Sequence, residues 1–271
     1  MTKTADLPSR PEDNLKDIRE LCPICGQKSR FLLENSAAYN IRKCRSCSHI
    51  FVANPPTEEQ LRAFYSDFRY FEDNYNHQGI ASIEAEEQWK DWLNARLSAL
   101  NNCLPKDFID GRRLDILEIG CLEGRLLAAL RNQGHSVHGS DVNVEVAGVG
   151  RSLLHLDIQL GDFLECTYVP ESLDLVVSFH SFEHMLEPLV CLEKVETLLR
   201  PGGHVLLELP ANDSEYENLQ HLHFFTSSSV NTMFDRVFGN CSVFDNLYTT
   251  AHGETMGSLY AVGRKTAHGR D

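Results

Sequence analysis

The distribution of apolar residues changes character near residue 110. Before it, apolar positions recur at helical spacing. Ile83, Trp89, Trp92 or Leu93, Leu97 and Leu100 mark a helical stretch over 80–103. A further helix start is written at Thr57-Glu58-Glu59-Gln60, where an N-cap threonine with glutamine three residues on makes a capping box. After residue 110, short β-rich runs alternate with helical ones. The pattern predicts strand 114–119 with helix 124–133, strand 136–141 with helix 143–154, and a brief strand 158–161. Strand 173–179 and helix 187–199 follow, then strand 204–209 behind the turn Arg200-Pro201-Gly202-Gly203. Such alternation implies βαβ crossovers and a parallel sheet with helices on both faces. The end differs: a helix over 226–238 precedes two runs, 241–247 and 258–264, with no helix between them. That predicts an antiparallel hairpin at one edge of the sheet.

Cysteine spacing adds a second module. Cys22-x2-Cys25 is followed, after 18 residues, by Cys44-x2-Cys47. Each pair forms a tight turn that aims two thiolates at one point, and two such turns complete a tetrahedral sulfur site for structural zinc. Pro23 and Gly26 supply the turn chemistry of the first knuckle, and His49, just behind Cys47, could replace a thiolate. A module this small does not fold on burial alone and depends on its metal. The remaining cysteines, 103, 121, 166, 191 and 241, are scattered and read as small core hydrophobes. Asn54-Pro55-Pro56-Thr57 is a clear break. The expected organisation is therefore a flexible tail over 1–20, a zinc ribbon over 21–54, a helical linker or cap over 55–109 and an α/β domain over 110–271.

Charge narrows the partners. Lys and Arg total 25 against 39 Asp and Glu, a net of −14. Such a surface repels phosphate backbones unless its positive charge is clustered, and the densest basic stretch, Ile41-Arg42-Lys43-Cys44-Arg45, is short. Nucleic acid is disfavoured on that ground. No run approaches the roughly 18 apolar residues of a membrane span. The first twenty residues lack the apolar core of a secretory signal, so a cytoplasmic location is expected.

The candidate chemistry begins where the first strand of the α/β region ends, in Glu118-Ile119-Gly120-Cys121-Leu122-Glu123-Gly124, with a helix directly behind. Glycines there let the backbone turn sharply and approach a ligand at a helix N-terminus. Asp141 closes the next strand 21 residues after Gly120, where a carboxylate can bind a ribose diol. A dinucleotide loop needs glycine at its middle position to admit a pyrophosphate. Leu122 stands there instead, so a ligand with adenosine but no phosphate fits better.

Four stretches in this order, 114–124, 137–141, Gly161-Asp162-Phe163, and 173–188 running on to Leu198-Leu199-Arg200-Pro201-Gly202-Gly203, resemble the class I S-adenosylmethionine-dependent methyltransferases over roughly 110–265. The resemblance implies a Rossmann-like seven-stranded sheet with an antiparallel C-terminal edge and S-adenosylmethionine as cofactor. It also implies residue roles. Glu118 and Gly120 border the methionine moiety, Cys121 and Gly124 belong to the cofactor loop, and Asp141 holds the ribose hydroxyls. Asp162 accepts from the adenine amino group, Phe163 packs beside the ring, and Phe179 lies on the cofactor rim. The front end, a zinc ribbon followed by Pro-Pro-Thr and the aromatic pair Phe64-Tyr65, is similar to a subset that accompanies enzymes building sugars, surface polysaccharides and secondary metabolites. The Glu-Ile-Gly-x-x-Glu-Gly-x-Leu-Leu form of the loop is similar to that of nucleotide-sugar C-methyltransferases, which are longer chains.

The acceptor side is expected past the fourth strand, in Phe179-His180-Ser181-Phe182-Glu183-His184. His180, Glu183 and His184 spell the H-x-x-E-H of inverted zinc proteases, but that motif needs a long helix from a different fold. Some ubiquinone-type O-methyltransferases carry Glu-x-x-Glu-His here and bind a divalent ion, whereas this chain has His180 for the first glutamate. A histidine acting as base is preferred. Methyl transfer from a sulfonium is an in-line displacement in which the protein must align the acceptor and remove a hydroxyl proton, a task suited to imidazole. The candidates are His180, His184, and His221 or His223 in Gln220-His221-Leu222-His223-Phe224-Phe225-Thr226, a stretch that resembles the family's substrate-side loop. The expected function is methyl transfer to a small polar acceptor, a sugar-like or secondary-metabolite hydroxyl such as that of a nucleotide sugar or glycan. The alternatives are an rRNA base methyltransferase with a zinc ribbon and a non-catalytic cofactor-binding or docking protein.

Overall fold

The computed structural model describes residues 18–65, 87–109, 111–211, 216, 220–249 and 255–266. Most of the expected tail and the 80–86 part of the expected helix lie outside the described residues. The N-terminal region contributes strands β1 (Ser29–Glu34), β2 (Asn40–Cys44) and β3 (Ile50–Val52), followed by helices α1 (Glu58–Tyr65), α2 (Glu87–Cys103) and α3 (Lys106–Ile109). α1 starts at the capping box read from the sequence. The Thr57 amide donates to Gln60 Oε1 at 2.8 Å, and the Gln60 amide donates to Thr57 Oγ1 at 3.2 Å.

The α/β part follows as β4 (Asp115–Ile119), α4 (Arg125–Asn132), β5 (Ser136–Asp141), α5 (Val144–Leu153), β6 (Asp157–Leu160), β7 (Leu173–Phe179), α6 (Pro188–Leu198) and β8 (Leu199–Ala211). β9 (His223–Phe224), α7 (Ser227–Val237), β10 (Ser242–Thr249) and β11 (Thr255–Arg264) complete it. One sheet has seven strands in the order β10-β11-β8-β7-β4-β5-β6. Strands β4 to β8 run parallel, and β11 and β10 return antiparallel at one edge, as the missing helix between the last two runs requires. β8 starts five residues before the predicted strand because the Arg200-Pro201-Gly202-Gly203 turn is absorbed into it, with a register irregularity opposite Leu173 and Leu175.

Central strands buried on both faces carry nearly continuous apolar runs, and alternate residues feed alternate cores. Ile116, Val177 and Leu206 join Leu100 of α2 and Leu126 and Leu130 of α4 on one face. Leu117, Val176 and Leu207 join Leu192 and Val195 of α6 and Phe234 of α7 on the other. The cysteine-bearing ribbon is not a satellite. Ile24, Phe51 and the cysteines 22, 44 and 47 belong to that second core, and Arg236 Nη1 of α7 donates to the Ile24 carbonyl at 2.7 Å. The ribbon strands form a second, four-stranded antiparallel sheet in the order β1-β2-β3-β9, whose last strand comes from the segment behind β8. Two residues of extended chain carry no periodicity, so β9 has no signature in the sequence.

Candidate functional site

A cavity of about 410 Å³ opens at the C-terminal ends of β4, β5 and β7. That is where a parallel sheet leaves its crevice. Of the residues singled out in the sequence, Glu118, Gly120, Asp141, Asp162, Phe163, Phe179, His180 and His184 border it, whereas Cys121, Gly124, His221 and His223 do not.

The loop behind β4 is built from left-handed residues. Gly120, Leu122 and Gly124 have φ of 73°, 51° and 81°, and Gly124 caps α4. Only glycine fits the first position, because a Cβ there would lie 2.0 Å from Ser181 Oγ. Asp141 ties this loop to the end of β5: its carboxylate accepts from the Leu122 amide at 2.7 Å and from the Asn143 amide at 2.8 Å. Burial nevertheless pushes its carboxyl up to about 6. Glu118 is 2% exposed, its Oε2 has no hydrogen-bond partner, and burial pushes the carboxyl up to about 8 despite the positive charge of Arg96. Cys121 turns beneath the loop into a core with Leu127, Ala147 and Ile158. Asp162 accepts from the Leu164 amide at 2.7 Å, and the neighbouring Phe163 is buried, with Lys194 Nζ 4.7 Å from its ring centre.

Sequence reasoning missed the contribution of the N-terminal helices to this cavity. Leu61, Arg62 and Tyr65 of α1 and Trp92 and Arg96 of α2 line it. The Arg96 guanidinium stacks 3.7 Å from the Trp92 ring centre and 5.1 Å from that of Phe179. The i, i+4 spacing of Trp92 and Arg96 was the available signal.

Behind the opposite wall, which His180 and His184 line, a carboxylate lies among imidazoles. Glu183, in a short 3-10 turn over Phe182–His184, is 0% exposed, and neither oxygen has a hydrogen-bond partner. His180 Nδ1 lies 3.5 Å from its Oε1, His184 Nε2 3.6 Å and His221 Nε2 4.0 Å. Burial alone would raise this carboxyl; the His184, His180 and His221 rings outweigh it and bring it to about 2. His180, at φ 51°, also reaches Glu208 of β8 through Nε2 at 3.2 Å. Burial opposes its protonation, but Glu183 and Glu208 hold it up at about 9. Glu208 in turn accepts from Ser258 Oγ at 2.7 Å and from the Tyr260 hydroxyl at 3.0 Å. His184 is held below the ordinary histidine range by burial. Its Nδ1 donates to the Gln220 carbonyl at 2.9 Å, with the Tyr65 hydroxyl 3.1 Å away, which leaves the Nε2 lone pair on the Glu183 side. Glu183, His184 and His221 bring their ligand-type atoms within 4.8 Å of one another. His223 faces elsewhere: it is 3% exposed, with Nδ1 3.0 Å from His49 Nε2.

Cys22, Cys25, Cys44 and Cys47 converge, with their sulfurs within 4.8 Å of one another. The Cys22–Cys47 and Cys25–Cys44 separations are 3.7 and 3.4 Å. A tetrahedral ion with Zn–S bonds of about 2.3 Å spaces its sulfurs about 3.8 Å apart, so the set can hold such an ion. The Ser46 amide donates to Cys44 Sγ at 3.3 Å, and His49 points to His223 and takes no part.

The comparisons with known proteins follow this geometry. A ubiquinone biosynthesis O-methyltransferase of Aeromonas salmonicida is 32% identical over 100 residues, 34% of this chain and 41% of the relative. A further ubiquinone biosynthesis O-methyltransferase, from Acinetobacter baumannii, is 29% identical over 148 residues, 49% of this chain and 62% of that protein. The chain thus spans less than two thirds of the length of these relatives. Phosphoethanolamine N-methyltransferase 2 of Haemonchus contortus, solved with S-adenosyl-L-methionine, has the same fold, with a TM-score of 0.60 at 15% identity. That superposition covers 80% of this chain and 62% of the other. A family model described as a methyltransferase domain matches residues 81–244, more than half of the chain. That stretch takes in every strand from β4 to β9, and by it the chain belongs to the methyltransferase-domain family.

Proposed function

We propose that the protein is an S-adenosylmethionine-dependent methyltransferase that methylates a hydroxyl of a small polar acceptor, of the sugar-like or secondary-metabolite kind. The observation that carries this reading is the buried Glu118 carboxylate at the cavity wall, whose Oε2 has no hydrogen-bond partner, next to a loop that only glycine can complete. An ammonium group is the donor such a carboxylate lacks. Arg96, fixed by its aromatic neighbours, suits the carboxylate of the same methionine moiety. Asp141 keeps lone pairs beyond its two amide bonds for the ribose hydroxyls, and Asp162 and Phe163 offer an acceptor and a ring edge for adenine. Gly120, Cys121 and Gly124 contribute backbone, and Phe179 closes the rim. When bound, the cofactor supplies an electrophilic methyl group on a sulfonium. The protein's own work is to hold the acceptor in line and to take its proton.

His184 is the base we favour among the four histidines. It is neutral, its tautomer is set by Gln220, and Glu183 offsets the charge it gains on protonation. His180, kept charged by two carboxylates, suits an oxygen that is becoming negative. His221 supports Glu183, and His223 is set back from the cavity. The acceptor class rests on the likeness of ribbon, Pro-Pro-Thr and Phe64-Tyr65 to the polysaccharide and metabolite subset, and an oxygen acceptor agrees with the names of the ubiquinone-related relatives. We further propose structural zinc on the four cysteines, a cytoplasmic location and the division into ribbon 21–54, linker 55–109 and catalytic part 110–271. No helix among the described residues is long and apolar enough to cross a membrane. The rRNA reading is disfavoured by the net charge of −14, and the non-catalytic reading by the pre-built histidine–carboxylate wall.

The test is incubation with methyl-labelled S-adenosylmethionine and a panel of nucleotide sugars, phenols and glycans, read by mass spectrometry. His184→Gln should cut turnover of any substrate found by about 10²-fold or more while calorimetric cofactor binding persists. No binding of S-adenosylmethionine would overturn the proposal. Activity lost to a chelator and restored by a divalent ion would move the proton-removing role from His184 to a cation at Glu183, His184 and His221.

A further inference from the structure

The ribbon's place in the fold goes beyond metal binding. Its strand β3 pairs with β9, with Phe51 opposite His223 and Ile50 opposite Phe224. One residue earlier, Leu222 is held from both sides: its carbonyl accepts from the Val52 amide of the ribbon at 2.9 Å, and its amide donates to the Glu183 carbonyl at 2.8 Å. A single residue, through its two flanking peptides, therefore links the ribbon sheet to the carboxylate turn. The residue before it is His221, whose ring faces Glu183.

Two side chains pin this arrangement. His49 is 0% exposed and its Nε2 lies 3.0 Å from Nδ1 of the buried His223, with the two rings stacked 5.2 Å apart. His49 also stacks on Phe51 and leans on Phe225. Its carbonyl accepts from the Cys44 amide at 2.8 Å, so the residue that reaches β9 also closes the second cysteine knuckle. A two-residue strand is weakly held in register, and a one-residue slip would set Leu222 where His223 sits and swing His221 from Glu183. Two apolar rings would fill the same space without preference for register. A buried hydrogen bond between two imidazoles tolerates no slip, because each polar atom left alone costs free energy. The helix behind the ribbon adds a second tie. Leu61 and Phe64 of α1 share one cluster with Ile41, Val52, Leu222 and Phe224, and the same helix brings the Tyr65 hydroxyl to His184.

We infer that the ribbon, which itself puts no side chain on the cavity, buttresses the acceptor side of the active site from behind, and that His49 and His223 are positioning residues that hold His221 and the Glu183–His184 turn in place. This rests on the reading that the acceptor is activated at that turn. The 120–124 loop, by contrast, is tied to β5 through the Asp141 carboxylate.

The experiment uses the full chain with its metal and S-adenosylhomocysteine as probe. His49→Phe keeps a ring of similar shape but removes the hydrogen bond. It should retain its metal and bind S-adenosylhomocysteine within about twofold of the parent. Amide exchange at 220–226 should quicken by about tenfold or more. The ring signals of His184 and His221 in carbon–proton spectra of histidine-labelled protein should shift, and His49→Gln, which can still hydrogen-bond, should recover part of the parent pattern. Unchanged His184 and His221 signals in a folded His49→Phe protein, or exchange changes confined to 21–54, would overturn the inference. Should His49→Phe lose its metal, His223→Phe leaves the knuckle intact and is judged by the same two readouts. Failure of the parent protein to bind S-adenosylhomocysteine would defeat the methyltransferase reading instead, and leaves the exchange result to judge the coupling by itself.

Discussion

The two walls of the cavity are built on different plans. Apart from Arg96 of α2 and Phe179 of β7, the proposed cofactor wall comes from consecutive pieces of chain, β4, its loop, β5 and the turn behind β6. Its parts are held by near neighbours, as when Asp141 gathers the Leu122 and Asn143 amides. The proposed acceptor wall presents Tyr65, His180 and His184, backed by the buried Glu183, Glu208 and His221, and the key bond behind it joins residues 174 positions apart. The first wall is a backbone device with a few carboxylates. The second is assembled from segments far apart in the chain, and on the proposed reading it is the side that meets the acceptor.

The largest expected effect follows from that dependence. Cys44→Ser should cost the protein its metal and most of the ribbon, since structural zinc in small modules contributes about 10 kcal/mol or more of apparent binding free energy. Metal analysis and thermal melting check it, and an unmodified protein free of metal under reducing conditions would remove the premise. If the Asp141-tied loop behind β4 holds without the ribbon, residual S-adenosylhomocysteine binding should outlast the loss of the acceptor wall. Gly120→Ala should do the reverse. A methyl group 2.0 Å from Ser181 Oγ at φ 73° should weaken calorimetric cofactor binding by on the order of 2–3 kcal/mol, with the ribbon and its metal untouched. Asp141→Ala should cost about 1–3 kcal/mol in the same assay.

The same contrast explains what the sequence revealed. The strands β4 to β8, the antiparallel hairpin and the capping box at Thr57 were legible because period, turn residues and caps are local signals. The left-handed turn behind β4 and its place beside Asp141 were legible because glycines and an acidic strand end sit at fixed spacing. Convergence of the four cysteines could be expected because metal geometry dictates spacing. His49 and His223 could not be matched from sequence, since their pairing is made by a two-residue strand joining a sheet begun far upstream. Arg96, Tyr65 and Glu208 were missed for the same reason: each lies on an element whose period reports burial, not which cavity the element borders.

Buried glutamates on the two walls titrate in opposite directions, and this sharpens the comparison at intermediate effect size. Glu118 sits at about 8 against an ordinary 4.5 because burial disfavours its charge. The folded protein therefore holds a proton that the unfolded chain releases, and ligand-free stability should fall as pH rises from about 4.5 to 8. Glu183 is depressed to about 2 by its imidazoles, so its contribution is present above about 4.5 and lost as pH falls towards 2. Melting curves from about pH 2 to 9 check both signs. Glu118→Gln should raise stability at pH 8 by about 2–4 kcal/mol and leave pH 4.5 little changed, whereas Glu183→Gln should lower it at neutral pH. A Glu118→Gln protein with the parent's alkaline slope would show that the carboxyl titrates normally.

The smallest effect tests whether the acceptor wall reaches as far as α1. Thr57 and Gln60 bond each other's backbone at the start of this helix, on the exposed side of the molecule. Thr57→Ala removes one cap bond and should cost about 0.5–2 kcal/mol, expressed as fraying of the first turn. Glu58 of that turn borders the cavity and Arg62 pairs with Glu165, while the same helix carries Leu61 and Phe64 into the β9 cluster and Tyr65 to His184. Because none of the proposed cofactor ligands lies on α1, S-adenosylhomocysteine affinity should change by no more than about twofold while the His184 ring signal broadens or shifts. Restoring the cap with Thr57→Ser should return the signal, because serine offers the same hydroxyl to the Gln60 amide. An unaltered His184 signal in the alanine variant, with the stability loss present, would mean that Tyr65 is held by its packing alone and that the acceptor wall ends at β9.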